Sequence, residues 1–372
     1  LEHKFMKPQN RESMKTHAFH AKTVERSKPM KILHLLPELS EGGVERHVLD
    51  LTRGLAERGH TVGVVSAGGK LVASLPPEVV HHVLPVHRKN LFTGAVSTLK
   101  LRSLVLREGW ELLHAHSRVP FWIAWWTAFL TGIPWVATAH ALYSKNAGIY
   151  PLRRAAAVIC VSKAVENYLE DFLPLRREVI YNGLFSQKEL EALKNTWQGP
   201  ENPREKRLLF VGRLTKIKGL HVVLEALKGL DAYPWALDVL GEGPRGEDFL
   251  RKTEEEGWSD RVFFHGYREN PGEWMEKSSC LVFPSLQEGM GRVFLEALAR
   301  GVPVFASRIP ALEELVSSED LLPPGNSEAW RGIFREFFEG TRKAPLPKLR
   351  CIPTREAMIT ASEALYKEIL SS

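Results

Sequence analysis

At 372 residues, with 44% hydrophobic and 25% charged residues, the chain is long enough for two ordinary domains and too apolar to be disordered. Its net charge of +6 is unevenly spread: residues 1–29 hold seven basic and three acidic residues, which leaves only +2 for the rest and argues against a nucleic-acid-binding body. The three cysteines, Cys160, Cys280 and Cys351, are far apart and show no zinc-ligand spacing, which suits a reducing, cytoplasmic compartment.

Residues 1–29 lack apolar periodicity and read as a disordered or non-native extension without the apolar stretch of a signal peptide. Met30 opens a strand, Met-Lys-Ile-Leu-His-Leu-Leu, and reads as the natural start. Over 30–195, strands are expected at 31–36, 61–66, 111–115, 134–138, 157–161 and 178–181, with helices near 43–58, 94–108, 119–130 and 163–172. In the first helix Val44, His47, Val48, Leu51 and Leu55 share one face, and Gly59 closes it. The stretch Val119 to Ala137 resembles a membrane span, but Pro120, Gly132 and Pro134 divide it into a short helix and a strand.

A stretch rich in Pro, Gly and charge at 196–206 marks a domain boundary. Between 196 and 354, strands are expected at 207–211, 235–240, 261–264, 280–283 and 302–306, with helices near 219–229, 246–256, 271–277, 291–299 and 311–316. Residues 355–372 read as a C-terminal amphipathic helix. Two such series predict an α/β protein of two Rossmann-like domains facing across a cleft, with ligands beyond the carboxyl ends of the strands.

Candidate chemistry lies at those strand ends. After the strand ending at Phe283, a loop carries Glu288, and Gly289, Met290 and Gly291 lead into a helix bearing Glu296. Small glycines let a phosphate approach the backbone, and the free N–H groups of a helix start attract an anion. Glu296 can accept hydrogen bonds from a ribose, and Glu288, in the mobile part of the loop, from sugar hydroxyls; surface carboxylates on an ordinary strand–loop–helix are the plain alternative. In Phe-Val-Gly-Arg-Leu-Thr-Lys-Ile-Lys-Gly-Leu (210–220), Arg213, Lys216 and Lys218 crowd a helix entry, electrostatically misplaced unless an anion sits there too. In the first half, Glu41-Gly42-Gly43, His116 and His140 each follow a strand, although lone histidines are more often structural.

Taken together, the Glu-x7-Glu block, Phe-Val-Gly-Arg-Leu with Lys218-Gly219, Gly241-Glu242-Gly243-Pro244, His265-Gly266, the Gly42–His47 segment, Val161-Ser162-Lys163 and Asn182-Gly183 resemble the retaining GT-B glycosyltransferases of family 4, in order from about Lys31 to Gly325. The resemblance implies a GT-B fold whose C-terminal helix crosses back to the first domain, an acceptor domain first and a nucleotide-sugar donor domain second. It implies Arg213 and Lys218 on the donor diphosphate with the backbone of Gly289, Met290 and Gly291. Glu296 would take the ribose, Glu288 the transferred sugar, Tyr267 a place beside the base, Gly43 a place in the cleft, and His140 the sugar face, with His116 its neighbour. Arg308-Ile309-Pro310 departs from the usual Gly-Gly before the downstream Pro-Glu segment, which puts local loop contacts in doubt.

Glycosyl transfer needs charge stabilisation on the leaving diphosphate. No Asp-x-Asp occurs, so a metal-independent reaction without a cofactor is expected, the co-substrate being a nucleotide-diphosphate sugar. The resemblance leans toward a cell-envelope glycan or glycolipid acceptor, lipopolysaccharide-like, reached at the inner face of the membrane. Segment 88–107, with Arg88, Lys89, Lys100, Arg102 and Arg107 among leucines, reads either as a peripheral membrane contact or as a solvated helix with a buried stripe. A nucleotide-sugar epimerase or a non-catalytic nucleotide-sugar-binding protein on the same fold are the rival readings.

Overall fold

The computed structural model describes residues 28–40, 42–194, 196–202, 204–350 and 352–372. Residues 1–27, expected as a disordered or non-native segment, lie outside them, as do Glu41 and Cys351.

The first half begins with β1 (Lys31–Leu35), α1 (Gly43–Glu57), β2 (Thr61–Ser66), β3 (Val80–Val83), α2 (Leu91–Glu108), β4 (Leu112–Ala115) and α3 (Arg118–Thr131). It continues through β5 (Trp135–Ala139), β6 (Ala157–Cys160), α4 (Lys163–Leu169), β7 (Arg177–Val179) and α5 (Gln187–Leu193). The seven-stranded sheet has the order β3-β2-β1-β4-β5-β6-β7, and every pairing is parallel. The inner strands are short apolar runs buried on both faces, as helix-covered parallel strands are. The stretch with span-like apolarity divides as its breakers indicate, into α3, capped by left-handed Gly132, and buried β5. No described helix is long and apolar enough to cross a membrane.

The second half comprises β8 (Lys206–Val211), α6 (Leu220–Leu227), β9 (Trp235–Leu240), α7 (Gly246–Glu255), β10 (Val262–Gly266), α8 (Gly272–Lys277) and β11 (Cys280–Phe283). After these come α9 (Arg292–Ala299), β12 (Val304–Ser307), α10 (Pro310–Glu313), β13 (Leu321–Leu322) and α11 (Ser327–Glu339). Its six-stranded sheet runs β10-β9-β8-β11-β12-β13. Strand order reverses between β1 and β4 in one sheet and between β8 and β11 in the other. Such switch points leave a crevice beyond the strand ends where ligands bind.

Four elements escape the sequence reading, among them β13, whose two residues are too short to show a pattern. β3 is an edge strand, Val-His-His-Val, half exposed and without a buried alternation. α5 is short, though its Ser186–Glu189 capping box is legible in the sequence. α11 has an Asn326 cap, a left-handed Gly340 and a buried face of Trp330, Phe334, Phe337 and Phe338, so its pattern was there to be read.

The last helix, α12 (Arg355–Ser371), returns to the first sheet and packs on α1. Ile359 lies so close over Gly54 that a Cβ there would stand 2.1 Å from its Cδ1. The Glu363 carboxylate accepts from Arg58 at 2.5 Å and lies 3.2 Å from His60 Nε2. Buried Tyr366 reaches His114 Nδ1 at 2.6 Å.

Candidate functional site

The first switch point gathers imidazoles. His34 in β1, His116 after β4 and His140 after β5 lie on neighbouring strands, with His34 Nδ1 3.0 Å from His116 Nε2 and His116 Nδ1 3.1 Å from His140 Nε2. From α1 the His47 ring stands 4.8 Å from that of His140, and His114 Nε2 meets Thr138 Oγ1 at 2.7 Å. Burial first holds these rings neutral, with neighbouring imidazoles adding to it at His34, His114, His116 and His140: His34 and His47 are lowered to about 3, and His114, His116 and His140 well below the ordinary value. The Arg292 guanidinium pushes His47 and His140 the same way. His47, His116 and His140 offer nitrogens within 4.8 Å of one another, a grouping that spacing along the chain did not reveal. The same guanidinium opposes a cation among them.

The second switch point is built by two loops. After β8 the chain passes Arg213 and a short turn, Lys216–Lys218, and bends at Gly219 with φ 74°. A Cβ there would stand 2.0 Å from the Pro284 carbonyl oxygen, so the loop after β11 lies directly against it. Leu286 N–H donates to the Ile217 carbonyl at 2.8 Å and locks the two loops together. As a result Lys218 Nζ meets Glu288 Oε1 at 2.6 Å, and Ser285 Oγ donates to the same oxygen at 2.7 Å. Glu288, expected in a mobile part of the loop, is instead a clamped, nearly buried carboxylate. Glu296, in the second turn of α9, opens on a cavity of about 310 Å³ together with Arg46, Asp50 and Arg292.

The cleft brings the two halves into contact at the loop between β11 and α9. Gln287 Nε2 donates to the Leu142 carbonyl at 3.0 Å, Ser162 Oγ to the Gly289 carbonyl at 2.6 Å, and Asn182 N–H points at Met290 Sδ at 3.1 Å. A Cβ on Gly289 would stand 2.1 Å from the His140 carbonyl oxygen, so only glycine permits this approach. Further out, Arg46 reaches the Glu269 carbonyl at 3.1 Å and Tyr267 Oη at 3.4 Å. Glu314 crosses from the second half to accept from the Lys163 and Ala164 N–H groups at the start of α4, and from Tyr181 Oη at 2.9 Å. The departure Arg308-Ile309-Pro310 leads into the short helix whose C-cap is Glu314, for Pro310 begins α10.

Gly289, Met290 and His140 therefore meet in one place, flanked by Lys218, Glu288 and His116, while Tyr267 meets Arg46 of α1 across the cleft. Sequence reasoning gave no role to Arg292, His47, Glu45 or Glu314. Arg292 was findable, being a cation at the first position of α9. Its pKa is lowered by burial, opposed by Glu296 and Asp50, and its Nη1 is buried without a hydrogen-bond partner. Glu45 carries a carboxyl raised by burial and lies close enough to Arg213 to feel its charge, a pairing across the cleft that only the fold creates.

The sequence and the fold have known counterparts. The family described as Glycosyltransferase Family 4 matches residues 41–186, and that described as Glycosyl transferases group 1 matches residues 192–357. An uncharacterised glycosyltransferase of Methanocaldococcus jannaschii is 30% identical over 256 residues, covering 64% of this chain and 68% of the relative. The chain belongs to the family 4 glycosyltransferases. Membership makes it an enzyme that transfers glycosyl groups, which displaces the epimerase and non-catalytic readings. This family 4 glycosyltransferase is also similar to a phosphatidyl-myo-inositol mannosyltransferase of Propionibacterium freudenreichii, 28% identical over 337 residues, covering 80% of this chain and 83% of the relative. Its GT-B fold is shared with Anabaena HepE, crystallised with UDP and glucose, at TM-score 0.72 and 20% identity over 92% of this chain and all of that one.

Proposed function

We propose that this glycosyltransferase takes a sugar from a nucleoside-diphosphate donor held by the second domain and passes it, with retention and without a metal, to a cell-envelope glycolipid or glycan held by the first. The carrying observation is the convergence of Lys218, Glu288 and the donor loop on His140 at facing switch points.

The donor diphosphate lies at Arg213, Lys218 and the start of α9, with Arg292 adding a third positive charge. These groups stabilise charge as it develops on the leaving phosphate, in a site that is already assembled. Glu288 neutralises Lys218 and holds sugar hydroxyls with its remaining lone pairs; Glu296 takes the ribose. His140 is neutral, so it acts as a hydrogen-bond partner of the sugar and not as a fixed cation. The leaving phosphate takes the acceptor proton on the same face, which retains the anomeric configuration.

The acceptor reading rests on the surface as well as on the named relatives. On α2, Phe92, Leu99 and Leu106 recur every seven residues and are exposed, flanked by exposed Lys100, Arg102 and Arg107. A basic helix with an outward apolar stripe suits the anionic inner face of a membrane. The test is a transfer assay on membrane extract with a panel of nucleotide sugars. Glu288→Ala is expected to cut turnover about a hundredfold or more. Excess EDTA is expected to leave turnover unchanged, and the product anomer to match that of the donor. Loss of activity in EDTA or an inverted product would refute the mechanism.

A further inference from the structure

A groove between the start of α2 and α3 has a composition that the donor chemistry does not use. It has a volume of about 350 Å³, within the range of small-molecule sites, and its walls include Leu91, Trp122, Ile123 and Trp126. Arg88, Lys89 and Arg118 also line it, and no carboxylate does. None of the three cations has a carboxylate within ion-pairing distance among the described residues; Arg118 instead lies 5.2 Å over the Tyr143 ring.

The position of the groove matters as much as its lining. Arg118 begins α3 two residues after His116, and the next residue back along the chain from Tyr143 is Leu142, whose carbonyl accepts from Gln287 of the donor loop. One end therefore abuts the first switch point. Around the groove the surface exposes Leu91, Phe92 and Phe129, each to more than three quarters. The groove thus joins an apolar, basic outer face to the edge of the reaction centre. A partner protein's helix would bring charges of both signs along its length, whereas an apolar trough with cations and no acid fits an amphiphile with one anionic head.

We propose that this groove holds the lipid anchor of the acceptor: an apolar chain against Trp122, Ile123 and Trp126, and the phosphate joined to it at Arg88, Lys89 and Arg118. The proposal rests on the reading of the acceptor as a membrane glycolipid, and it gives that acceptor a lipid phosphate.

The test uses the full chain and farnesyl phosphate below its micellar concentration, followed by tryptophan fluorescence, with farnesol and inorganic phosphate as the chain-only and phosphate-only arms. Farnesyl phosphate is expected to bind about tenfold or more tighter than either. Two variants probe the site independently: the double substitution Arg88→Ser with Lys89→Ser removes charge from exposed positions, and Gly94→Leu, whose new side chain would point at the Trp126 ring, fills the trough. Each is expected to weaken farnesyl phosphate binding about tenfold while leaving nucleoside-diphosphate binding unchanged. Equal binding of farnesol and farnesyl phosphate, or unchanged binding in both variants, would overturn the proposal. Absence of farnesyl phosphate binding with nucleoside-diphosphate binding intact would overturn the groove alone; absence of both would overturn the donor reading too. Efficient transfer to a water-soluble acceptor without any lipid would also count against it.

Discussion

At the scale of single residues, the imidazole cluster, four of its rings buried and His140 partly so, makes a pH prediction with a definite sign. In the unfolded chain a histidine titrates near 6.5, whereas His34 and His47 in the fold are lowered to about 3 and His114, His116 and His140 shift in the same direction. Between those values the unfolded chain binds protons that the folded chain refuses. Stability is therefore complete above pH 6.5 and is lost as the pH falls toward 3, by up to about 1.4 kcal/mol per pH unit for each histidine. Urea unfolding midpoints at pH 7.5 and pH 5.5 check this: a steep fall is expected, and it should be shallower in His34→Gln. A midpoint independent of pH would contradict it. Arg213 belongs to the same scale. Replacing one charge-assisted partner of a diphosphate costs about 1.5–3 kcal/mol, so Arg213→Ala is expected to weaken donor binding roughly ten- to hundredfold in a calorimetric titration.

At the scale of elements, the donor loop and the last helix carry the informative contacts. The loop from Ser285 to Gly291 is fixed by Lys218 on one side and by Leu142, Ser162 and the His140 carbonyl on the other. Gly289→Ala would place a methyl group where that carbonyl oxygen stands, and a displacement of about 1 Å at a reacting site can cost about a hundredfold in rate. Turnover is expected to fall by that order while the protein stays folded; unchanged turnover would mean that the loop does not need this contact. In α12, Glu363 is a nearly buried carboxylate shared by Arg58 and Lys367, with His60 beside it. Glu363→Ala removes charge-assisted hydrogen bonds from two cations that water can still reach, and is expected to cost about 1–2 kcal/mol in urea unfolding. Most elements were legible because helix stripes and short apolar strands recur with their own periods. Edge strand β3 was not, because half exposure erases its pattern. The segment from Phe283 to Glu296 was legible as strand, glycine turn, acid and helix in order, but not the burial of Arg292 or the clamping of Glu288 by Lys218 and Ser285. The row formed by His34, His47, His116 and His140 was not, because four separate elements contribute it.

At the scale of the whole molecule, the two sheets present their switch points to each other, and contacts between the halves include the loop between β11 and α9, Glu314 at α4 and Arg46 at Tyr267 and Glu269. A ligand that fills this interface stabilises the fold in proportion to the logarithm of its concentration over its dissociation constant. The account's central claim, that the second switch point binds a donor diphosphate, is tested most directly by thermal unfolding of the wild type and of Arg213→Ala against UDP, GDP and ADP. At least one diphosphate is expected to raise the unfolding temperature of the wild type, and the shift is expected to shrink or vanish in Arg213→Ala. No shift with any of the three, or an equal shift in the variant, would contradict the claim.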